Sequence, residues 1–131
     1  MENLVDNMVY IPYNVIKMVR SIVNKFILEF YEKENGGIPV GEFLLGLDKK
    51  MRAKILSIMD VLQEGDFLRE PYSKYLEDGI FEIRGKVGSD ITRVLYFFYY
   101  EGKIVFTNGY VKKTQKTPVS EILKAKYSEN I

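Results

Sequence analysis

The chain contains no cysteine, no histidine and no tryptophan. Without cysteine there are no disulfides, no thiolate zinc sites and no thiol nucleophile. Such a chain is compatible with a reducing compartment. The missing histidine excludes more. It removes the usual general base near neutral pH and the commonest metal ligand. Acid–base chemistry must then run on Lys, Tyr, Arg, Asp or Glu. No P-loop, G-x-S-x-G, H-E-x-x-H or zinc spacing occurs. Acids such as Glu29, Glu32 and Glu34 are scattered, which argues against a metal cluster and a metal-dependent nuclease. No cofactor is expected. No apolar run reaches the ~18–20 residues of a membrane span. The chain opens Met-Glu-Asn-Leu-Val-Asp, acid first, unlike a secretory signal. The expected location is the cytoplasm, with no membrane partner.

What is present fits one folded domain. The 131 residues are 47% hydrophobic and 14% aromatic, too apolar for a disordered chain. Net charge is only +1, but it is unevenly placed. Residues 1–80 hold ten Lys/Arg against thirteen Asp/Glu, a balance of −3. Residues 81–131 hold nine against five, a balance of +4. That asymmetry suggests a basic face built by the C-terminal half, the alternative being chance clustering on a solvated surface.

Residues 1–23 are read as an N-terminal extension, with Pro12 interrupting any regular element and a helical turn near Asn14–Ser21. Met18 is an alternative start. Residues 24–131 are read as a single domain. A first strand is expected over residues 22–33, where Phe26, Leu28 and Phe30 alternate with Lys25, Ile27 and Glu29. Pro39 suits the first position of a helix carrying Val40, Phe43, Leu44 and Leu47. Gly46 weakens that helix, and Asp48 can cap the next. Met51, Ile55, Ile58, Met59 and Leu62 recur at helical spacing, and Gly65 ends the run. Lys49, Lys50, Arg52 and Lys54 lie off that stripe, either as a solvated face or as an RNA contact. Residues 66–79 read as a polar connector. Three strands follow as a meander, Ile80–Lys86, Ile91–Tyr100 and Lys103–Val111, turned by Gly88-Ser89-Asp90 and Glu101-Gly102. The middle strand is apolar on both faces, which marks it as central. Pro118 begins a last helix through about Tyr127, with Val119, Ile122, Leu123 and Lys126 along one side. The expected fold class is α+β: a small antiparallel-dominated sheet, a helix hairpin on one face, a C-terminal helix, and a second face left partly open.

The densest polar run is Gly109-Tyr110-Val111-Lys112-Lys113-Thr114-Gln115-Lys116-Thr117-Pro118, at a strand-to-helix junction. Three lysines, two threonines and a glutamine suit a phosphate-rich partner. Lys112 and Lys113 point to opposite sides if the strand continues, so one of them faces the site. Thr114 and Thr117 also suit helix capping. Arg84 shares a strand face with Ile80 and Glu82, and Arg93 with Leu95 and Phe97. A short turn joins the two strands, so the guanidinium groups meet on the open face. There they either hold a phosphate between them, or Arg84 makes an ordinary ion pair with Glu82, Asp90 or Glu101. Phe97, Phe98 and Tyr96 are expected in the core. Tyr110, beside the lysines, is the ring best placed to stack on a base.

These segments together resemble a known family. Tyr75-Leu76-Glu77-Asp78-Gly79-Ile80-Phe81-Glu82-Ile83-Arg84 is similar to the L-x-D-G-(L/I)-(Y/F)-E-(L/I)-R stretch of HigB-like toxins, members of the RelE/ParE superfamily with a phage-derived branch. Thr92-Arg93-Val94-Leu95-Tyr96-Phe97-Phe98 resembles that family's central strand. Tyr110 through Pro118 resembles its (F/G)-x-K-K-(T/S)-x-K-T-P signature. Glu121-Ile122-Leu123-Lys124-Ala125 matches its final E-I-x-x-A helix, and Ile38-Pro39-Val40-Gly41-Glu42-Phe43-Leu44 its S-P-V-x-E-F-L helix start. The likeness covers roughly residues 24–128.

The resemblance implies a RelE-like fold and the toxin of a type II toxin–antitoxin pair. It implies a ribosome-dependent, metal-independent mRNA endonuclease. Its partners would be the ribosome, mRNA and a cognate antitoxin, typically of helix-turn-helix type. Arg84, Arg93, Lys112 and Lys113 would be the catalytic set, with Tyr110, Gln115 and Lys116 on the RNA. The chain departs from relatives that carry a site histidine, and no tyrosine clearly matches their C-terminal catalytic one, Tyr127 being a candidate that comes late in the chain. The alternative is a non-catalytic member that acts by binding, as a ParE-like topoisomerase poison or a phage accessory protein.

Overall fold

The computed structural model describes residues 12, 14–15, 18, 26–65, 70–112 and 116–129. Strand β1 is Ile27–Phe30, followed by helices α1 (Pro39–Gly46) and α2 (Lys49–Gln63). Strands β2 (Ser73–Glu77), β3 (Ile80–Val87), β4 (Asp90–Tyr99) and β5 (Lys103–Val111) come next, then helix α3 (Val119–Glu129). The five strands form one sheet in the order β1-β5-β4-β3-β2. Only β1 runs parallel to its neighbour. The α+β architecture read from the sequence is the observed one.

The helix hairpin forms where its signals lie. Pro39 occupies the first turn of α1. The Asp48 side chain caps α2 by accepting from the Met51 N–H at 3.0 Å, which satisfies an otherwise orphaned donor. Gly65, at φ +84°, turns the chain out of the helix. Arg52, one of the basic residues on α2, is structural. Its guanidinium donates to the carbonyls of Leu44, Leu45 and Leu47 at 2.8, 3.1 and 2.9 Å, closing the C-terminal end of α1. Lys49, Lys50 and Lys54 are exposed.

One sheet face meets this hairpin. Val40, Leu44, Met51, Ile55, Ile58, Met59 and Leu62 pack on Phe81, Ile83, Val94, Tyr96, Phe98, Ile104 and Phe106. Each such buried side chain is worth about 1.5–3 kcal/mol. The helices approach closely enough that two strand positions exclude a side chain. A Cβ on Gly109 would lie 2.4 Å from the Phe43 ring, and one on Gly85 2.6 Å from Ile55.

Three expectations are corrected. The connector over residues 66–79 contains the strand β2, whose Ser-Lys-Tyr-Leu-Glu has little apolar content to announce it. Its Ser73 is fully buried and hydrogen-bonds the Tyr96 hydroxyl beneath the sheet. The first strand covers only Ile27–Phe30 among the described residues. The Tyr31 N–H still donates to Phe106 O at 2.9 Å, and then the chain turns through Lys33–Gly37. The second sheet face is covered at its apolar end, because α3 lies across it, and stays open at the end that carries Arg84 and Lys112. There Ile122 and Ala125 pack on Ile80, Leu95, Phe97 and Val105. The buried side of α3 is therefore not the expected stripe. Val119 and Leu123 are exposed, and Lys126 reaches Glu77 and Asp78 at 2.6 and 2.8 Å. The turn expected near Asn14–Ser21 falls mostly outside the described residues; Asn14, Val15 and Met18 of that span are helical and exposed.

Candidate functional site: a buried carboxylate between two arginines

Strands β3 and β4 pair so that Arg84 stands directly opposite Arg93, and β5 places Tyr110 opposite Arg93 on its other side. The three side chains make a row across the sheet on the face that α3 crosses. Alternation along β3 puts Glu82 on that face too, opposite Leu95. Lys112 follows two residues after Tyr110, at the exit of β5, where its N–H donates to Ile91 O at 2.8 Å.

Two like charges directly opposite each other repel. Glu82 resolves this. Its side chain is fully buried, and Arg93 is 3% exposed. One carboxylate oxygen accepts from Arg93 Nη1 at 2.7 Å and from Arg84 Nε at 3.0 Å. The other accepts from the Thr117 hydroxyl at 2.7 Å and from the Tyr110 hydroxyl at 3.4 Å. Arg93 Nη1 also donates to Thr117 Oγ1 at 3.1 Å. A charge taken out of water is stable only with such partners. Thr117, expected to cap α3, instead ties the lysine loop to the carboxylate.

The cluster keeps a positive excess. Among the described residues Glu82 is the one buried carboxylate beside Arg84, Arg93 and Lys112. Glu70 adds a long contact to Arg84 Nη1, 3.8 Å, from an exposed position. Arg93 Nε is buried without a hydrogen-bond partner among the described residues. Partial loss of water around Lys112, then the charges of Arg93 and Arg84, lower the lysine pKa. Burial raises the Tyr110 phenol, with Glu82 adding to the rise and Thr117 and Arg93 opposing it. The tyrosine thus stays protonated near pH 7, and the lysine ammonium is a stronger acid than that of a free lysine and releases its proton more readily.

Residues 42–128 match the family described as Phage derived protein Gp49-like (DUF891). The chain belongs to this family. The match spans more than half the sequence, from α1 into α3. The Gp49-like family is part of the RelE/ParE-like toxin group. No curated protein sequence matches the chain significantly.

In this Gp49-like chain the structure brings Arg84, Arg93, Tyr110 and Lys112 into one constellation. Lys116 is exposed in the segment leading to α3. Lys113, Thr114 and Gln115 lie outside the described residues. The Tyr110 ring packs at the edge of the cluster under α3, with its hydroxyl turned to Glu82. The unforeseen members are Glu82, as a shared anion rather than a partner of Arg84 alone, and Thr117. The signal for Glu82 lay in the Glu82-Ile83-Arg84 spacing, which puts the carboxylate and the guanidinium on one strand face. Thr117 was marked only as a donor in the polar run and a capping residue; its bond to Glu82 joins it to a distant strand.

Proposed function

We propose that the protein is the toxin of a type II toxin–antitoxin pair and cuts translated mRNA on the ribosome without a metal ion. The observation that carries this reading is the Arg84–Arg93 register with Lys112 beside it, a concentrated positive site on a rigid sheet. Membership of a toxin-group family supports it. In the reaction the RNA 2′-hydroxyl attacks the adjacent phosphorus. A new oxygen–phosphorus bond forms, the bond to the 5′-oxygen breaks, and the products are a 2′,3′-cyclic phosphate and a 5′-hydroxyl. The attacking hydroxyl loses a proton and the leaving oxygen gains one. Arg84 and Arg93 neutralise the phosphate through charge-assisted hydrogen bonds that it shares with Glu82. Lys112, with its lowered pKa, takes the first proton in its neutral form or stabilises the developing charge. Tyr110, whose phenol stays protonated, is the donor for the leaving oxygen. Glu82 is no candidate base, because both its oxygens are engaged in the interior; it positions the arginines. Lys113, Gln115 and Lys116 extend the contact along the RNA, and the partner that silences the toxin is a small antitoxin of helix-turn-helix type.

The same engagement of Glu82 favours a second reading, a member that acts by binding, such as a topoisomerase poison. Both arginines already have an anion, so a substrate phosphate must share them. Controlled expression in a bacterial host, with mapping of mRNA 5′ ends, separates the two. Cuts on translated messages that vanish with Arg84→Ala are expected. Growth arrest without new 5′ ends would transfer the assignment to the binding poison.

A further inference from the structure

Beside the arginine cluster the sheet opens into a cleft of about 650 Å³. Its cause is a mismatch between two strands. Strand β1 pairs with β5 only as far as Phe106, and β5 carries a bulge just beyond, between its pairings at Phe106 and Asn108. From Thr107 onward no described strand covers the outer side of β5. The segment after β1 swings away, α3 bounds the other side, and the space between them stays open.

The lining is specific in its chemistry. Tyr31, from the segment after β1, and Tyr127, from α3, supply aromatic surface, and Lys33 and Lys124 bring cations beside it, with Glu34 in the same lining and Lys124 also donating to Glu121 Oε2 at 3.2 Å. Asn108 contributes to the floor, and its amide is held by Glu121 O and Oε1 at 3.1 and 3.0 Å. Partial loss of water, then the neighbouring Tyr127 and Glu34, raise the Tyr31 pKa. Tyr127 is 68% exposed, so its ring contributes little to the core of the fold. Volume and composition match a small planar ligand rather than a metal or a lone anion. Aromatic faces with lysines alongside are the recurring means of holding an unpaired base next to its backbone. Asn108 and Tyr110 are two residues apart on β5, ~7 Å along the strand. A strand whose phosphate sits at the arginines therefore has a neighbouring base within reach of the cleft.

We propose that this cleft is a nucleobase subsite, in which a base adjoining the reacting phosphate stacks on Tyr127 and Tyr31 while Lys33 and Lys124 hold its flanking phosphate. This inference rests on the RNA-cleaving reading above and gives that site a second anchor. The test uses the full chain and short 2′-O-methylated oligoribonucleotides, which lack the attacking hydroxyl. One strand is intact; the others each lack a single base. Tyr127→Ala is expected to weaken the intact strand by about 5- to 150-fold, the equivalent of about 1–3 kcal/mol for one stacked base. One abasic strand should bind wild type and Tyr127→Ala equally, and Tyr127→Phe should keep wild-type affinity. Lys124→Gln should reduce the salt slope by roughly one charge. Unchanged affinity in Tyr127→Ala, or indifference to every base deletion as for a cleft that takes a protein segment, overturns the subsite. So does failure of all strands to bind. The two readings part cleanly. Loss in Tyr127→Ala with full binding in Arg84→Ala keeps the subsite and removes the phosphate clamp; the reverse keeps the clamp and removes the subsite.

Discussion

The two faces of the sheet are built on different principles. The hairpin face is governed by volume. Tyr96 and Phe106 are fully buried there, Phe81 stacks on Tyr96 with centroids 5.4 Å apart, and glycines admit the helices. The face under α3 is divided. Its apolar end, Leu95, Phe97 and Val105, anchors the helix, while its polar end holds a buried carboxylate and two guanidinium groups. A close-packed face resists change everywhere. The divided face can hold unbalanced charge because α3 covers only part of it. It also places that charge on a rigid sheet rather than on a loop, and the contrast locates the candidate site.

Substitutions can break or sharpen this contrast. The largest effects should come from the centre of each face. Phe106→Ala should cost about 3–5 kcal/mol in urea unfolding, through the cavity it leaves. Glu82→Ala should cost a comparable ~3–5 kcal/mol, because Arg93 is left buried without its anion. A near-neutral Glu82→Ala would mean that the divided face is not held by charge. Gly109→Ala comes next, at about 1–3 kcal/mol, from the clash with Phe43. Trimming the ring in Gly109→Ala/Phe43→Leu should return part of that loss; no recovery would point to backbone strain instead. Arg84→Ala should change stability by roughly 1 kcal/mol or less, since Arg84 itself is partly exposed and Arg93 and Thr117 still hold Glu82, yet abolish growth arrest. Retained toxicity in this folded variant would remove Arg84 from the site. The subtlest effect concerns pH. Lys112 is lowered from its ordinary 10.5, so a cleavage rate that needs neutral lysine should rise with pH and level off below that value. Lys112→Gln should erase the rising limb, and an unchanged profile would assign the limb to another group.

Much of this was readable along the chain. The apolar stripe of α2, the Asp48 cap, the Gly65 stop and the two-sided apolar run of β4 are local patterns, and each appears where its residues put it. The facing of Arg84 and Arg93 also followed from alternation and a short turn. Strand β2 did not, because five mostly polar residues become a strand only when β3 offers an edge to pair with. The buried side of α3 was misread for a related reason. Its few apolar residues fit several stripes, and the sheet beneath selected Ile122 and Ala125.

The sequence by itself determined the α+β class, the helix hairpin, the central strand and the strand faces on which the site residues stand. It did so because helical and strand periodicities are properties of near neighbours. Only the tertiary structure decided that Glu82 binds both arginines, that Thr117 closes the cluster, and that the parting of β1 from β5 opens a cleft. Those outcomes depend on residues as far apart as 82 and 117, and on how three strands and a helix meet. Burial turns their modest pairwise contacts into requirements, since a charge removed from water needs its partner.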